Sequence, residues 1–520
     1  MSFKITYSVL DADMTEIHKA FDTSLQSVRG NLGNTFPYWT QGKAQESGSF
    51  LENYNPAKTD ELLAKFHQTP VSEIDAIMNF AEQAYKKWRL TPWKERCAIF
   101  EKAADLISER RMEISAIMAL ETGKNRMESL GDVEESADLF RWNAKQLHEN
   151  NGYTRSMGNL SPNEKTTDTL KPYGVFVVIS PFNFPMALAA GMGSGAMLGG
   201  NTVVFKPSQE TPWSALKLFE VLKDAGLPEG VLQLVYGSGS ELGKGLTGHP
   251  KTAGVAFTGS YEVGMQIQRQ LAAGPHPKPC MLEMGGKNPT IIRPSADLDK
   301  AITGCFKSAF GLTGQKCSAL SRVYVHSSLK DKFIQGLVEK MKGINIGDPT
   351  DKDVYVGPLI SETAVKTHLN AIELAKKDGK ILAGGEDIRS KSEFAKGYFV
   401  QPTLAELPKD HRLFRDELFT PFLVVAVVDS MEEAVAECNK ANLGLTGGIF
   451  STDKKEIQYF WDHMETGVLY ANRESGATTG AWPGVNPFCG WKGSGGSGRG
   501  ICGPYYTARF MQEQSHTLME

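Results

Sequence analysis

Segment 314–322, Gly-Gln-Lys-Cys-Ser-Ala-Leu-Ser-Arg, sets Cys317 after a glycine-containing loop and before the β-prone run 323–325. That spacing predicts a thiol at the mouth of a strand rather than inside a helix, where a nucleophile can be presented. Lys316 beside it is expected to favour the thiolate. A lone cysteine is more often a small buried hydrophobe, so its chemistry depends on what the fold brings to it. Two further groups matter: Asn183 in Pro-Phe-Asn-Phe-Pro (181–185) and Glu283 in Leu-Glu-Met-Gly-Gly (282–286). A thiol, an amide and a carboxylate are the parts of carbonyl chemistry: attack on carbon, support of an oxyanion, and activation of water. Taken singly, Asn183 has an ordinary account as a strand-end tie and Glu283 as a solvated carboxylate.

Glycine motifs raise the question of a nucleotide. Residues 237–243, Gly-Ser-Gly-Ser-Glu-Leu-Gly, come close to a dinucleotide fingerprint, but with altered spacing they read equally well as a turn into a helix. Phe-Thr-Gly259-Ser260 follows a strand run and precedes a helical pattern, so its N–H groups and hydroxyl are placed to meet a phosphate. Neither a nucleotide-triphosphatase loop nor a Gly-x-Ser-x-Gly elbow occurs.

Those groups need a scaffold, and 520 residues exceed one ordinary core, so two or three domains are expected. With 56 basic against 60 acidic residues and no long basic run, neither nucleic acid nor an anionic membrane is called for. Seven cysteines without a Cys-x-x-Cys pair read as reduced thiols, with no disulfide framework and no metal site. Residues 1–20 lack a signal-peptide core, which suggests a soluble cytoplasmic protein. The almost uncharged stretch 185–200 carries Gly191, Gly195 and Gly199, yet is too short to span a bilayer and reads as a buried helix on a sheet.

Along the chain, residues 71–88 form one helical stripe with Thr69 and Pro70 at its start, and a second helix is expected from about 96 to 120, stopping at Gly123. The polar segment 149–168 predicts a hairpin leaving the main body. Apolar runs at 175–179, 202–205, 231–235 and 254–258 alternate with helical stretches at 213–225 and 262–272, the pattern of a parallel sheet that binds ligands at its strands' carboxyl ends. A second alternating block has strands at 290–292, 322–325, 422–428 and 448–450. The tail 505–519 reads as a strand-forming arm rather than a core element.

Six fragments in order, 181–185, Lys206-Pro-Ser208, Gly259-Ser260, 282–289, 314–317 and Glu417-Leu-Phe419-Thr-Pro, with a 34-residue step from Glu283 to Cys317, resemble the aldehyde dehydrogenase superfamily over nearly the whole chain. The resemblance implies an α/β fold of two doubly wound parallel-sheet domains plus a small β oligomerisation flap. It divides the chain into a cofactor domain (1–148 and 170–286), a catalytic domain (287–472), the flap (149–169 and 501–520) and a glycine-rich anchor and return segment (473–500). It implies Cys317 as nucleophile, Asn183 with the Cys317 N–H as oxyanion site, and Glu283 as general base for thioester hydrolysis. For NAD it implies Ser180, Lys206, Ser208, Gln209, Gly259, Ser260, Gly285, Glu417 and Phe419. Many NAD-preferring relatives carry Glu where Gln209 stands; a neutral residue does not repel a 2′-phosphate, so NADP is expected to be tolerated.

Both ends, 21–38 with 53–57 and 479–488, together with Ser318 after the nucleophile, resemble the branch that oxidises an amino-acid semialdehyde, L-glutamate γ-semialdehyde. Phe182, Lys316 and Ser318, with the N–H groups of Gly495, Gly496 and Ser497, are then expected to meet the substrate, the last four its carboxylate. A three-residue insertion before Thr479, and Cys489 where Gly is usual, depart from that branch. Another semialdehyde such as succinylglutamate semialdehyde, broad-range aldehydes, or a cofactor-independent Cys hydrolase remain alternatives. The resemblance further implies a single-function enzyme without a proline dehydrogenase domain upstream, taking a diffusible substrate as a homodimer or higher oligomer.

Overall fold

The computed structural model describes residues 14–478, 480–496 and 498–520. Two seven-stranded sheets carry the molecule. The first runs in the order Cys280–Glu283, Thr252–Thr258, Val175–Ile179, Thr202–Lys206, Leu232–Leu234, Tyr38–Thr40, Lys43–Gln45. Its first five strands are parallel and its last two antiparallel. The second runs Lys380–Ala383, Thr403–Glu406, Phe422–Val427, Leu320–Val325, Asn288–Ile292, Thr446–Phe450, Val468–Ala471, parallel except at Lys380–Ala383.

Both sheets are buried on both faces, which is why their strands are apolar without interruption. Phe176, Val178, Val203 and Phe205 join one core while Val175, Val177 and Val204 join another, the two-residue alternation of a pleated strand. Val424 and Ala426 against Val323 and Val325 repeat this across the second sheet. Helices Ile74–Trp88 and Tyr261–Ala272 cover one face of the first sheet, and Trp93–Glu109, Arg126–Glu149, Ala187–Leu198 and Pro212–Ala225 cover the other. In Ala187–Leu198 every residue except Leu188 is buried, and an added Cβ on Gly191, Gly195 or Gly199 would meet Ile501, Phe510 or Met511 at 2.1, 2.6 and 3.1 Å. The glycines are therefore the seats of the C-terminal segment. Among the described residues no helix is long and apolar enough to cross a membrane.

Four sequence expectations are corrected. The first helix begins at Ile74 after a short 3₁₀ turn, Val71–Glu73, that Pro70 initiates. The second is two helices, Trp93–Glu109 and Arg111–Thr122, broken at Arg110; the second ends at Gly123, whose φ of +78° lets the chain leave. The tail is not all arm: Tyr506 and Phe510 are buried, and Phe510 packs 5.3 Å from Phe176, before strand Met511–Met519 begins. A three-stranded sheet of Asn34–Phe36, Lys58–His67 and Phe50–Asn55 stands where no strands were expected. The hairpin does form: Thr154–Ser156 and Glu164–Pro172 pair, and Met511–Met519 adds to Glu164–Pro172 over nine residues.

Candidate active site

Cys317 sits in the turn ahead of strand Leu320–Val325, and the loop leading to it is unusual backbone. Leu312, Thr313 and Gly314 take φ of 49°, 53° and 67° in succession. Two non-glycine residues there store strain of roughly 1–3 kcal/mol each, which the surroundings must hold. They do so: Thr313 donates to the Gly357 carbonyl at 3.1 Å, and the Gln315 amide accepts from the Ile360 N–H at 2.9 Å. Beyond the thiol, the Asn288 amide donates to the carbonyls of Cys317 and Ala319 at 2.7 and 2.8 Å.

Three of the sequence motifs meet at this loop. Asn183, buried after strand Val175–Ile179, donates from Nδ2 to the Gln315 carbonyl at 3.0 Å. One N–H of that amide is thereby fixed against the nucleophile loop, leaving the other to a ligand. Gly286 passes so near that an added Cβ would lie 2.1 Å from the Cys317 carbonyl oxygen, and one on Gly285 would lie 1.9 Å from Glu417 Oε2. The Gly286 N–H donates to Glu417 Oε1 at 2.7 Å. The glycine pair is thus a wedge between the thiol loop and Glu417. Phe419, with φ of +58°, sets its ring edge-on to Phe182 at 5.8 Å.

Burial governs the charges. Together with the carboxylates of Glu417 and Glu283, it pushes the Cys317 thiol up to about 12. The same effect takes Glu283 up to about 8, against the pull of Arg509 and of the Gly490 N–H, and Glu417 to about 7. Lys316 does not activate the thiol as expected. Its ammonium pairs with Glu128 at 3.2 Å, both side chains about a tenth exposed, and so turns from Cys317 to helix Arg126–Glu149.

A cleft with about 730 Å³ of space between its walls opens over Cys317, Lys316 and Ser318, bounded by Phe184, Phe488 and Arg473. Ser318 is buried, and its carbonyl accepts from Thr478 Oγ1 at 2.9 Å. Gly495 and Gly496 lie elsewhere: Gly495 bridges Glu283, the Gly496 N–H is used on the Leu282 carbonyl at 3.1 Å, and both line a separate hollow with Trp491 and Lys492 rather than this cleft. Ser497, like Thr479, lies outside the described residues. The loop that does face the cleft contributes Arg473, Ser475, Gly480 and Ala481. Sequence reading missed Arg473, which had no periodic pattern to mark it. Its Nη1 donates to the Gly480 carbonyl at 2.7 Å and its guanidinium stacks on Tyr470 at 4.4 Å, with no ion pair among the described residues.

The remaining polar groups lie at the carboxyl ends of the first sheet, around the point where strand order reverses between Val175–Ile179 and Thr252–Thr258. Ser180 Oγ is buried there with no hydrogen-bond partner among the described residues. The Lys206 ammonium is buried, bonded to the Pro207 carbonyl at 3.0 Å, and lowered to about 8. Ser260 caps helix Tyr261–Ala272 through the Val263 N–H, leaving a helix N-terminus open toward an anion. Gly259 holds the Glu283 carbonyl at 3.1 Å; Ser208 is half-buried and Gln209 exposed beside Lys206. Residues 237–243 form the turn into a helix, and Gly243 packs against the Lys206 stem. An orphaned hydroxyl, a buried cation and a helix N-terminus in one crevice fit a dinucleotide.

Residues 39–515 match the aldehyde dehydrogenase family. The chain is 36% identical over 506 residues, 96% of each protein, to 1-pyrroline-5-carboxylate dehydrogenase 1 of Halalkalibacterium halodurans. It resembles the NAD-bound 1-pyrroline-5-carboxylate dehydrogenase of Thermus with a TM-score of 0.93 at 30% identity, over 98% of this chain and 97% of that one. It also resembles proline utilization A of Bdellovibrio bacteriovorus, inactivated by N-propargylglycine, with a TM-score of 0.91 at 34% identity; 96% of this chain covers 52% of that one. Likeness at that identity over nearly the full length, with a thiol, an amide and a glycine wedge meeting at one loop, is descent rather than chance: the chain belongs to the aldehyde dehydrogenase family.

Proposed function

We propose that the protein oxidises L-glutamate γ-semialdehyde, the open form of 1-pyrroline-5-carboxylate, to L-glutamate in proline catabolism, with NAD and, less well, NADP. The observation that carries this reading is the Cys317 cleft, where a buried thiol shares a wall with a guanidinium free of any carboxylate among the described residues. A substrate with an aldehyde at one end and a carboxylate at the other matches those two ends.

Cys317 attacks the aldehyde carbon, forming a C–S bond. The thiol proton is lost to solvent as that bond forms. The free N–H of Asn183 and the Cys317 N–H hold the oxygen that becomes negative. Bound in the crevice by Ser180, Lys206, Ser260 and Glu417, NAD supplies the acceptor for the hydride that leaves this carbon. Glu283 then takes a proton from water, whose oxygen attacks the thioester; the C–S bond breaks, glutamate leaves with its new carboxyl proton lost to solvent, and the proton on Glu283 passes to the sulfur to restore the thiol.

The segments 1–148 and 170–286 serve as the cofactor unit and 287–472 as the catalytic unit. The three-stranded sheet built by 154–172 and 511–519 is the oligomerisation surface, since Leu160, Leu518 and Met519 are exposed on it and one edge of Met511–Met519 has no strand beside it among the described residues. The deciding experiment is NAD reduction with glutamate semialdehyde against uncharged aldehydes of equal length. A preference of at least about 10-fold in kcat/KM is expected, since a buried charge-assisted contact is worth 1.5–3 kcal/mol; equal rates would sink the reading. Cys317→Ala is expected to abolish turnover of both.

A further inference from the structure

Glu283 ends strand Cys280–Glu283, and its two carboxylate oxygens have unlike surroundings. Oε2 is buried with no hydrogen-bond partner among the described residues, while Oε1 faces Arg509 Nη1 at 3.9 Å. Arg509 belongs to neither sheet of the active site. It lies in the turn Thr507–Phe510, at the root of strand Met511–Met519, where its guanidinium bonds to the Arg499 carbonyl and lies 5.7 Å from the Tyr506 ring centre. The two side chains are only 8% and 10% exposed, so the charges act on each other with little screening. At 3.9 Å the two side chains are not locked to each other by a short hydrogen bond, and the carboxylate can swing from the guanidinium without breaking one between them.

We propose that Arg509 is a positioning residue for Glu283: it parks the carboxylate ion beside the C-terminal turn while the aldehyde enters, and releases it toward the thioester when water must be activated. The inference rests on Glu283 being the general base. The other titratable groups facing Glu283 are Tyr506 and Cys502 on the same C-terminal segment, Cys489 on the preceding loop and Cys317 on the nucleophile loop. None of these is a cation, so among the described residues Arg509 is the charge that, with the Gly490 N–H, offsets the burial that opposes ionisation of Glu283. Through it, the base is tied to the segment that anchors the outlying three-stranded sheet.

The test is the pH profile of thioester hydrolysis in single turnovers for Arg509→Gln and Arg509→Lys, with Glu283→Gln alongside. Gln keeps a donor for the Arg499 carbonyl and drops the charge. For Arg509→Gln the rising limb is expected to move up by about one pH unit, a roughly 10-fold loss at pH 7.5 recovered by pH 9.5. Formation of the acyl-enzyme should stay near wild type, and Arg509→Lys should restore the limb. A loss by the same factor at every pH in both variants would mark a structural role and overturn the inference, as would an unmoved limb in a variant whose Glu283→Gln counterpart has lost hydrolysis. Hydrolysis at the wild-type rate in Glu283→Gln would remove the base assignment, and the inference with it.

Discussion

At the scale of single residues, the proposed active site is a set of ionisations displaced by burial, and their directions make a pH prediction. The form of Glu283 that accepts a proton is the carboxylate, which predominates above about 8, so kcat is expected to be small near pH 6 and to climb between 7 and 9. Lys206 works in the opposite sense. It loses its proton above about 8, so KM for NAD should rise over the same interval, and steady-state profiles of the two constants separate the effects. Gln209 is exposed beside that lysine, and Gln209→Glu is expected to lower kcat/KM for NADP at least about 10-fold while leaving NAD nearly unchanged, measured with saturating aldehyde. Cys317, Asn183, Glu283 and Ser318 could be proposed from the sequence because each sits in a short motif. Gly495 and Gly496 were misassigned because a glycine-rich run tells only that the backbone is used closely, not what it is used on; here it is used on strand Cys280–Glu283.

Elements hold those residues by contacts that leave little tolerance. Gly286→Ala sets a methyl 2.1 Å from the Cys317 carbonyl, backbone that cannot move without moving the nucleophile. Loss of at least about 100-fold in kcat is expected even where the variant folds, read by circular dichroism beside activity. His368 makes a separate prediction. It is fully buried, bonded to Thr420 Oγ1 and the Gln401 carbonyl, and lowered by burial to about 4. A histidine neutral in the native state adds no pH dependence above 6.5. Below that the unfolded chain binds the proton first, so about 3 kcal/mol of stability should be lost between pH 6.5 and 4, and denaturant titrations of His368→Gln should show a flatter decline. Strands such as Val175–Ile179 were readable because burial on both faces writes an unbroken apolar run. Helix Arg126–Glu149 was missed for the converse reason. Its inner face carries Glu128, Ser129 and Asp132, buried because Lys316, Lys124 and the start of helix Ala187–Leu198 need them, and this hides the apolar period. Likewise Lys58–His67, with charges at 58, 60, 61 and 65, alternates too poorly to announce a strand.

For the whole molecule, the third sheet carries the expectation of assembly. Leu518 and Met519 are more than half exposed at the end of the outer strand. The wild-type chain is expected to elute from a sizing column as a dimer or larger, and the pair Leu518→Lys with Met519→Lys to shift it toward monomer with its secondary structure intact. A monomeric wild type at micromolar concentration would end that expectation. The two sheets were legible as alternating blocks of run and helix; the sharing of the first core with the last residues of the chain was not, because no local pattern records a contact so distant in sequence.

That sharing bears on how the polypeptide matures. The seats at Gly191, Gly195 and Gly199 are made about 300 residues earlier in synthesis than Ile501, Phe510 and Met511, which fill them. Until then the helix that follows Asn183 has an open groove along it. The nascent chain must wait, shielded or partly collapsed, for that distant segment to arrive, and only then can the surroundings of Cys317 become rigid.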